Sequence, residues 1–139
     1  MIKKKSRKNN IIKYLGVDWG EKRIGLAFGD SESGVAVPFR VVASISEIFK
    51  AVKDEEVDEV VIGTPLKMQN VELRMQNEFL EFLELLKKKV DVPVTLIDER
   101  LSSKGVDNLK GDKKSKAERD AVAAMLILQT YIDTKAKKH

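Results

Sequence analysis

The sequence predicts an α/β fold: a mixed sheet, with three antiparallel strands followed by parallel ones, and helices on both of its faces. Short apolar, β-branched segments separated by turn residues fill the first third of the chain. Beyond residue 44, such segments alternate with stretches of helical periodicity. The resulting order is β-β-β-α-β-α-β-α, and helices that connect parallel strands lie on the faces of the sheet. The 139 residues suit a basic flexible tail over residues 1–10 and a single domain over residues 11–139.

The first part of the chain is predicted to form the antiparallel strands. Three apolar segments separated by turns are assigned as strands: residues 11–17, 24–28 and 35–42. Gly20 lies in the first turn, where it is able to adopt positive φ. Pro38 places the third strand near a sheet edge or a bulge, because proline has no N–H for a central ladder.

The rest of the chain is predicted to alternate between helices and strands. The pairs Ser44/Glu47 and Ser115/Glu118 have capping-box spacing and mark the first and last helix starts. The predicted elements are helix 44–56, strand 57–63, a long helix with its apolar residues between Leu73 and Val90, strand 94–98, and a helix from Ser115 to Tyr131 or beyond. Residues 102–114 contain two glycines among charged residues, which predicts a mobile loop or a poor helix.

Composition excludes several kinds of chemistry. The chain has no cysteine, and its one histidine is the terminal His139. Thiol nucleophiles and thiolate metal ligands are therefore excluded, and histidine-based triads or zinc sites are disfavoured. If the protein is an enzyme, carboxylates must carry the chemistry.

The charge balance and hydropathy bear on partners and location. The net charge of +4 favours an anionic partner such as nucleic acid. No segment approaches the roughly 20 apolar residues of a membrane span, and no export segment follows the basic N-terminus. We therefore expect a soluble cytoplasmic protein with no membrane partner.

Carboxylates stand at three positions that packing alone does not explain. Asp18 ends the first strand, Glu99 follows the last strand, and Asp120 lies near the start of the last helix. Ends of parallel strands meet at one edge of a sheet, so these acids could converge there and bind Mg²⁺ or Mn²⁺. Two such ions hydrolyse phosphodiesters without histidine. Taken singly, Asp18 could be a turn former, Glu99 an ion-pair partner of Arg100, and Asp120 a first-turn acid.

Four ordered motifs resemble the YqgF/RuvX family. They are Leu15 to Ala27 (with Lys22-Arg23-Ile24-Gly25), Val61 to Leu66, Asp98-Glu99-Arg100-Leu101-Ser102, and Asp120 to Ala124 with Leu126 to Tyr131. The resemblance implies an RNase H-like fold, a catalytic and metal-binding triad of Asp18, Glu99 and Asp120, and substrate contacts from Arg23 and Arg100. It also implies nuclease activity in processing the 5′ end of precursor 16S ribosomal RNA, in the cytoplasm.

The chain departs from the family pattern around these acids. Glu21 replaces the usual Thr, Lys67-Met68-Gln69-Asn70 lacks the usual glycine, and the segment between Glu99 and Asp120 is shorter. These changes bear on which substrate is bound, precursor rRNA or branched DNA.

Other functions remain open on sequence grounds. A Holliday junction resolvase would act on DNA as a homodimer, whereas RNA processing is open to a monomer. A second class is a non-catalytic nucleic-acid-binding factor with the same fold, which would not need the acids. A third class, a sugar-kinase-type phosphotransferase, shares the Asp-x-Gly hairpin but needs two such domains.

Overall fold

The computed structural model describes residues 10–64, 73–98 and 116–137. Within them the elements follow the predicted order: β1 (Lys13–Asp18), β2 (Ile24–Asp30), β3 (Ala36–Val42), α1 (Ile45–Asp54), β4 (Glu59–Thr64), α2 (Leu73–Lys89), β5 (Val94–Asp98) and α3 (Lys116–Lys137). The basic tail over residues 1–9, the segment 102–114 and the cap at Ser115 lie outside the described residues. No described helix is long and apolar enough to cross a membrane.

The strands form one mixed sheet in the order β3-β2-β1-β4-β5. β1 and β3 both pair antiparallel with β2, while β4 pairs parallel with β1 and with β5. This confirms the predicted fold class. At the end of the central strand, Asp18 lies between Gly25 of β2 and Gly63 of β4.

Strand alternation divides the core between the two faces of the sheet. Leu15 and Val17 of β1 belong to a cluster that includes buried residues of α1 and α2. Tyr14 points to the other face, where it packs with Ile127 and Leu128 of α3. Because successive side chains of a strand point to opposite faces, position 18 shares the α3 face with position 14.

The α3 helix lies unusually close to the sheet because glycines line its path. A Cβ on Gly16 would come within 2.8 Å of both the Ala124 carbonyl oxygen and the Leu128 Cβ. Close approach of this kind is open only to a residue without a side chain. The glycines of β1 and β2 therefore set the height of α3 above the sheet.

The expectation for Pro38 is confirmed, and Gly20 does not use the positive φ that is open to it. β3 is an edge strand, and its register with β2 shifts between Leu26 and Ala27, whose partners are Arg40 and Pro38. Gly20 is not at positive φ, whereas Gly34 in the second turn is, at 70°. Glycine is needed at position 20 for space, since a Cβ there would come within 2.7 Å of the Arg23 carbonyl oxygen.

The first capping box forms as predicted, except that the Glu47 carboxylate accepts a hydrogen bond from the residue before the cap. Ser44 accepts a hydrogen bond from the Glu47 backbone N–H at 3.4 Å, and the Glu47 carboxylate accepts one from the Ala43 N–H at 2.8 Å. The bond from Ala43 is the main reason that the pKa of Glu47 is lowered. The cap orients α1 against the sheet directly after β3.

Candidate active site

Asp18 occupies the C-terminal end of the central strand and is partly buried. Both of its cross-strand neighbours, Gly25 and Gly63, lack side chains. The space beside a strand residue is normally filled by such neighbours. The two glycines therefore place no side chain beside Asp18 on the α3 face of the sheet.

Asp120 lies in the second turn of α3, directly over one of these glycines. A Cβ on Gly25 would come within 2.0 Å of the Asp120 carbonyl oxygen and 3.0 Å of the Ala121 nitrogen. Since Gly25 is also the partner of Asp18 in the sheet, the two acids adjoin the same residue. The structure thus places the backbones of two of the three acids that the sequence singles out beside the same glycine.

Arg23 contacts Asp120 directly. Its Nε donates a hydrogen bond to Asp120 Oδ2 at 2.7 Å, and the two side chains are 41% and 28% exposed. The sequence had suggested Arg23 as a substrate contact, and this ion pair was missed. Its signal was present, because Arg23 precedes Gly25 by two residues and so shares a face with it, but the contact with α3 depends on packing.

Glu99 and Arg100 lie outside the described residues, which end at Asp98 on this side of the sheet. In residues 10–64, 73–98 and 116–137, no group of three or more acidic or histidine side chains is placed to hold a metal ion. Asp18 and Asp120 nevertheless offer the hard carboxylate oxygens that Mg²⁺ and Mn²⁺ prefer. The Arg23 charge offsets part of the repulsion expected between neighbouring carboxylates.

The first turn also carries a second cluster, on the α2 side of the sheet. Arg74 of α2 forms ion pairs with Glu21 and Glu78, and the bond from Arg74 is the main reason that the pKa of Glu21 is lowered. The extra acid at position 21 is thereby tied to α2.

A groove of about 490 Å³ lies beside this cluster, with Trp19 on its wall. Lys22 borders it together with three glutamates, two of which pair with Arg74. Its charges are therefore mixed, and they do not indicate a binding site for a nucleic-acid backbone. Trp19 packs on Phe79, with ring centroids 5.5 Å apart.

Comparisons with known proteins agree along nearly the whole domain. A family model described as "RuvX: Holliday junction resolvase" matches residues 12–134. A protein of Maridesulfovibrio salexigens, named "Putative pre-16S rRNA nuclease", is 36% identical over 132 residues, covering 87% of this chain and 98% of that protein. A protein of the same name from Dictyoglomus thermophilum is 30% identical over 141 residues, covering 88% of this chain and 96% of that one.

Solved structures agree on the fold. RuvC of T. thermophilus in complex with a Holliday junction substrate superposes with a TM-score of 0.59 at 13% identity, covering 90% of this chain and 96% of that one. The Fowlpox virus resolvase bound to Holliday junction DNA gives 0.59 at 12% identity, covering 89% and 99%. These neighbours confirm the RNase H-like fold.

Proposed function

The chain belongs to the RuvX family, and on that premise we propose that it is a metal-dependent nuclease that hydrolyses phosphodiester bonds of structured nucleic acid. The proposed reaction is 5′-end processing of precursor 16S ribosomal RNA, with Mg²⁺ or Mn²⁺ as cofactor. This substrate implies a cytoplasmic setting. The observation that carries the proposal is the position of Asp18 and Asp120 beside Gly25, at the carboxyl end of the central strand.

Asp18, Glu99 and Asp120 are the residues that would hold the metal. Asp18 reaches the site from the sheet and Asp120 from α3, so the two oxygen donors belong to separately packed elements. Glu99 follows β5 by one residue. When bound, the divalent ion supplies a water nucleophile at neutral pH and stabilises charge on the leaving oxygen.

Arg23 and Arg100 are proposed to bind the substrate's phosphates. Arg23 lies at the edge of the acid pair and is exposed enough to be reached by a nucleic acid. A guanidinium pairs well with phosphate oxygens and keeps its charge at any physiological pH. Arg23 would thus hold the backbone beside the two acids.

RNA is favoured over a DNA junction as the substrate. The relatives that are 30% identical or more and match along almost their whole length carry the rRNA nuclease name. A four-way junction is the second candidate, because the description of the matching family names that substrate. Cutting a symmetric junction requires two sites and hence a homodimer, whereas trimming an RNA end requires one site.

A cleavage assay with Mg²⁺ or Mn²⁺ tests the proposal. The substrates are a precursor 16S rRNA fragment, a linear duplex and a four-way junction. We expect cleavage of the precursor. The rate should fall by at least about 100-fold in Asp18→Asn, Glu99→Gln and Asp120→Asn, because replacing even a residue that hydrogen-bonds to a metal ligand lowers activity by about 10–100-fold. The oligomeric state is measured in parallel.

The matched control is Asp133→Asn, which removes an exposed carboxylate from the same helix as Asp120. It should cut at the parent rate. Equal activity in all three site variants would contradict the metal mechanism. Cleavage of the junction alone would move the assignment to DNA. Metal-free binding without cleavage, unaffected by Asp18→Asn, would indicate a non-catalytic binding factor.

A further inference from the structure

The Arg23–Asp120 ion pair joins parts of the chain that are far apart in the sequence. Lys50–Asp54 joins neighbours on one helix turn, whereas Arg74–Glu21 is long-range like Arg23–Asp120. Arg23 and Asp120 are 97 positions apart, and their 2.7 Å bond joins the residue directly before β2 to α3. Pairs between exposed neighbours contribute little to stability. A long-range pair that involves a candidate metal ligand calls for a functional explanation.

The Arg23–Asp120 hydrogen bond uses one donor of the guanidinium and one oxygen of the carboxylate. Arg23 uses Nε, one of the five N–H donors of a guanidinium, whose terminal NH₂ groups supply the other four. Asp120 accepts through Oδ2, and a carboxylate can bind a metal through one oxygen while the other accepts a hydrogen bond. The same contact is therefore compatible with a metal on Asp120 and a phosphate on Arg23.

The location of the pair restricts how its members can move. The Asp120 backbone is pressed against Gly25, so the main chain of this turn cannot approach the sheet further. Arg23 directly precedes β2, two residues before Gly25. Its hydrogen bond therefore holds the Asp120 carboxylate toward the start of β2.

We propose that Arg23 is the positioning residue of the metal site: its Nε orients the Asp120 carboxylate for the metal, and its terminal nitrogens bind a substrate phosphate. This rests on the proposed nuclease function and adds to it a link between two binding events. A phosphate held by Arg23 is held at a defined distance from the carboxylate that binds the metal. Substrate position and metal position are thereby coupled through one side chain.

The opposite role for Arg23 is a placeholder that neutralises Asp120 until a metal displaces it. The two roles predict opposite changes in metal affinity when Arg23 is replaced. Removing a positioning residue weakens metal binding, because the carboxylate loses its orientation. Removing a placeholder strengthens metal binding, because a competing positive charge disappears. Metal affinity measured without substrate therefore separates them.

Titration calorimetry with Mn²⁺ alone, on the full chain, makes this measurement. We expect Arg23→Gln to lower the affinity by about 10–100-fold. Arg23→Lys keeps the charge but lacks the planar fork, so it should also bind Mn²⁺ more weakly than the parent. The control is Lys22→Gln, which removes one exposed charge from the same turn and should leave the affinity within about twofold, since exposed charges interact weakly in water. Circular dichroism confirms that each variant is folded.

Binding of a precursor 16S rRNA fragment in EDTA, over a range of salt concentrations, tests the phosphate contact. Losing one phosphate contact should reduce the slope of log affinity against log salt by about one for Arg23→Gln. Arg23→Lys should retain the slope, because a lysine also contacts a single phosphate. A structural role alone would not produce this difference between the two variants.

The outcomes distinguish failure of the roles proposed for Arg23 from failure of the nuclease function on which they rest. Unchanged or tighter Mn²⁺ binding by Arg23→Gln overturns the positioning role, and an unchanged salt slope overturns the phosphate contact. If the parent cuts RNA with metal while either result holds, the nuclease function stands and the inference fails. If the parent neither binds Mn²⁺ nor cuts, both fail.

Discussion

The backbone of Asp120 lies against Gly25 so closely that a Cβ on residue 25 would come within 2.0 Å of the Asp120 carbonyl oxygen. The contact begins a row of close approaches at helical spacing, in which Ala124 and Leu128 lie on Gly16. Residues four apart line one face of a helix, so the row sets the rotation of α3 as well as its height. The position of a candidate metal ligand thus follows from glycines in the sheet.

Gly25→Ala should therefore damage both stability and the site. The new methyl group would meet backbone atoms, which cannot rotate away as a side chain does, so α3 must shift outward. Forced overpacking of this kind costs about 1–3 kcal/mol. We expect that loss in urea denaturation, together with weaker Mn²⁺ binding and slower cleavage.

Gly29→Ala is the matched control, since its Cβ would come no closer than 3.0 Å to any atom: it would meet the Ile132 Cδ1 at 3.0 Å and the Val35 carbonyl oxygen at 3.1 Å, away from Asp120. Its metal binding should stay close to the parent value. Parent-like metal affinity in Gly25→Ala would show that the height of α3 does not control Asp120.

Tyr131→Phe should reduce stability and change its dependence on pH. The Tyr131 hydroxyl donates to Glu59 Oε2 at 2.7 Å, and Thr95 Oγ1 donates to the same oxygen at 2.6 Å. Losing one such bond costs about 1 kcal/mol. Burial, followed by the bond to Glu59, raises the pKa of Tyr131 from 10.0 to about 12.

The direction of this pH dependence follows from proton binding. The folded state holds the phenol proton more tightly, so this contribution is complete below the unfolded pKa of 10.0 and is lost as pH rises through about 12. The difference in unfolding free energy between parent and variant should shrink over that range. A difference that stays constant up to the highest pH would contradict the assignment.

The fold could be predicted because local signals agree with the final structure. Strand β5 is found over Val94–Asp98, as predicted, and the start of α1 after Ser44 matches its capping box. Pro38 correctly indicated an edge strand with a bulge. These signals depend on residues that are near each other in the sequence, so they can be interpreted without knowledge of the tertiary packing.

The contacts of the site could not be predicted in the same way. The Arg23–Asp120 bond depends on the alignment of α3 with β2, which sequence periodicity leaves undetermined. The need for glycine at position 20 could not be predicted either, because it comes from a carbonyl three residues away and not from the φ of Gly20. Glu99 and Arg100, which complete the predicted site, lie outside the described residues and remain predictions.

Glu21→Gln should remove the ion pair between the first turn and α2, and its effect on stability should depend on pH. The Arg74 hydrogen bond lowers the pKa of Glu21 below its usual 4.5. A lowered folded-state pKa stabilises the protein above the unfolded value, and the contribution is lost as pH falls through the folded value. The parent should therefore have a higher urea midpoint than the variant at neutral pH, and this difference should vanish in acid and shrink with added salt.

Glu81→Gln is the control for Glu21→Gln, because Glu81 borders the same groove. Its urea midpoint should follow the parent at both pH values. An equal effect of the two substitutions would indicate that general charge, and not the bond to Arg74, is responsible.

Glu99→Gln should be far more damaging than Asp98→Asn, although the two acids are adjacent. Val94 packs with the α1 and α2 side of the core, whereas Ile97 packs with the α3 side. Alternation places Asp98 on the face of Val94, and strand periodicity predicts that position 99 shares the α3 face with Ile97, where Asp18 and Asp120 meet. We expect at least about 100-fold slower cleavage for Glu99→Gln, beyond the 10–100-fold typical of partners of metal ligands, and less than about threefold for Asp98→Asn. Mn²⁺ affinity should follow the same order, and thermal denaturation confirms that both variants are folded. A larger loss from Asp98→Asn would assign the third metal ligand to residue 98, because then the strand must turn its last acid toward α3.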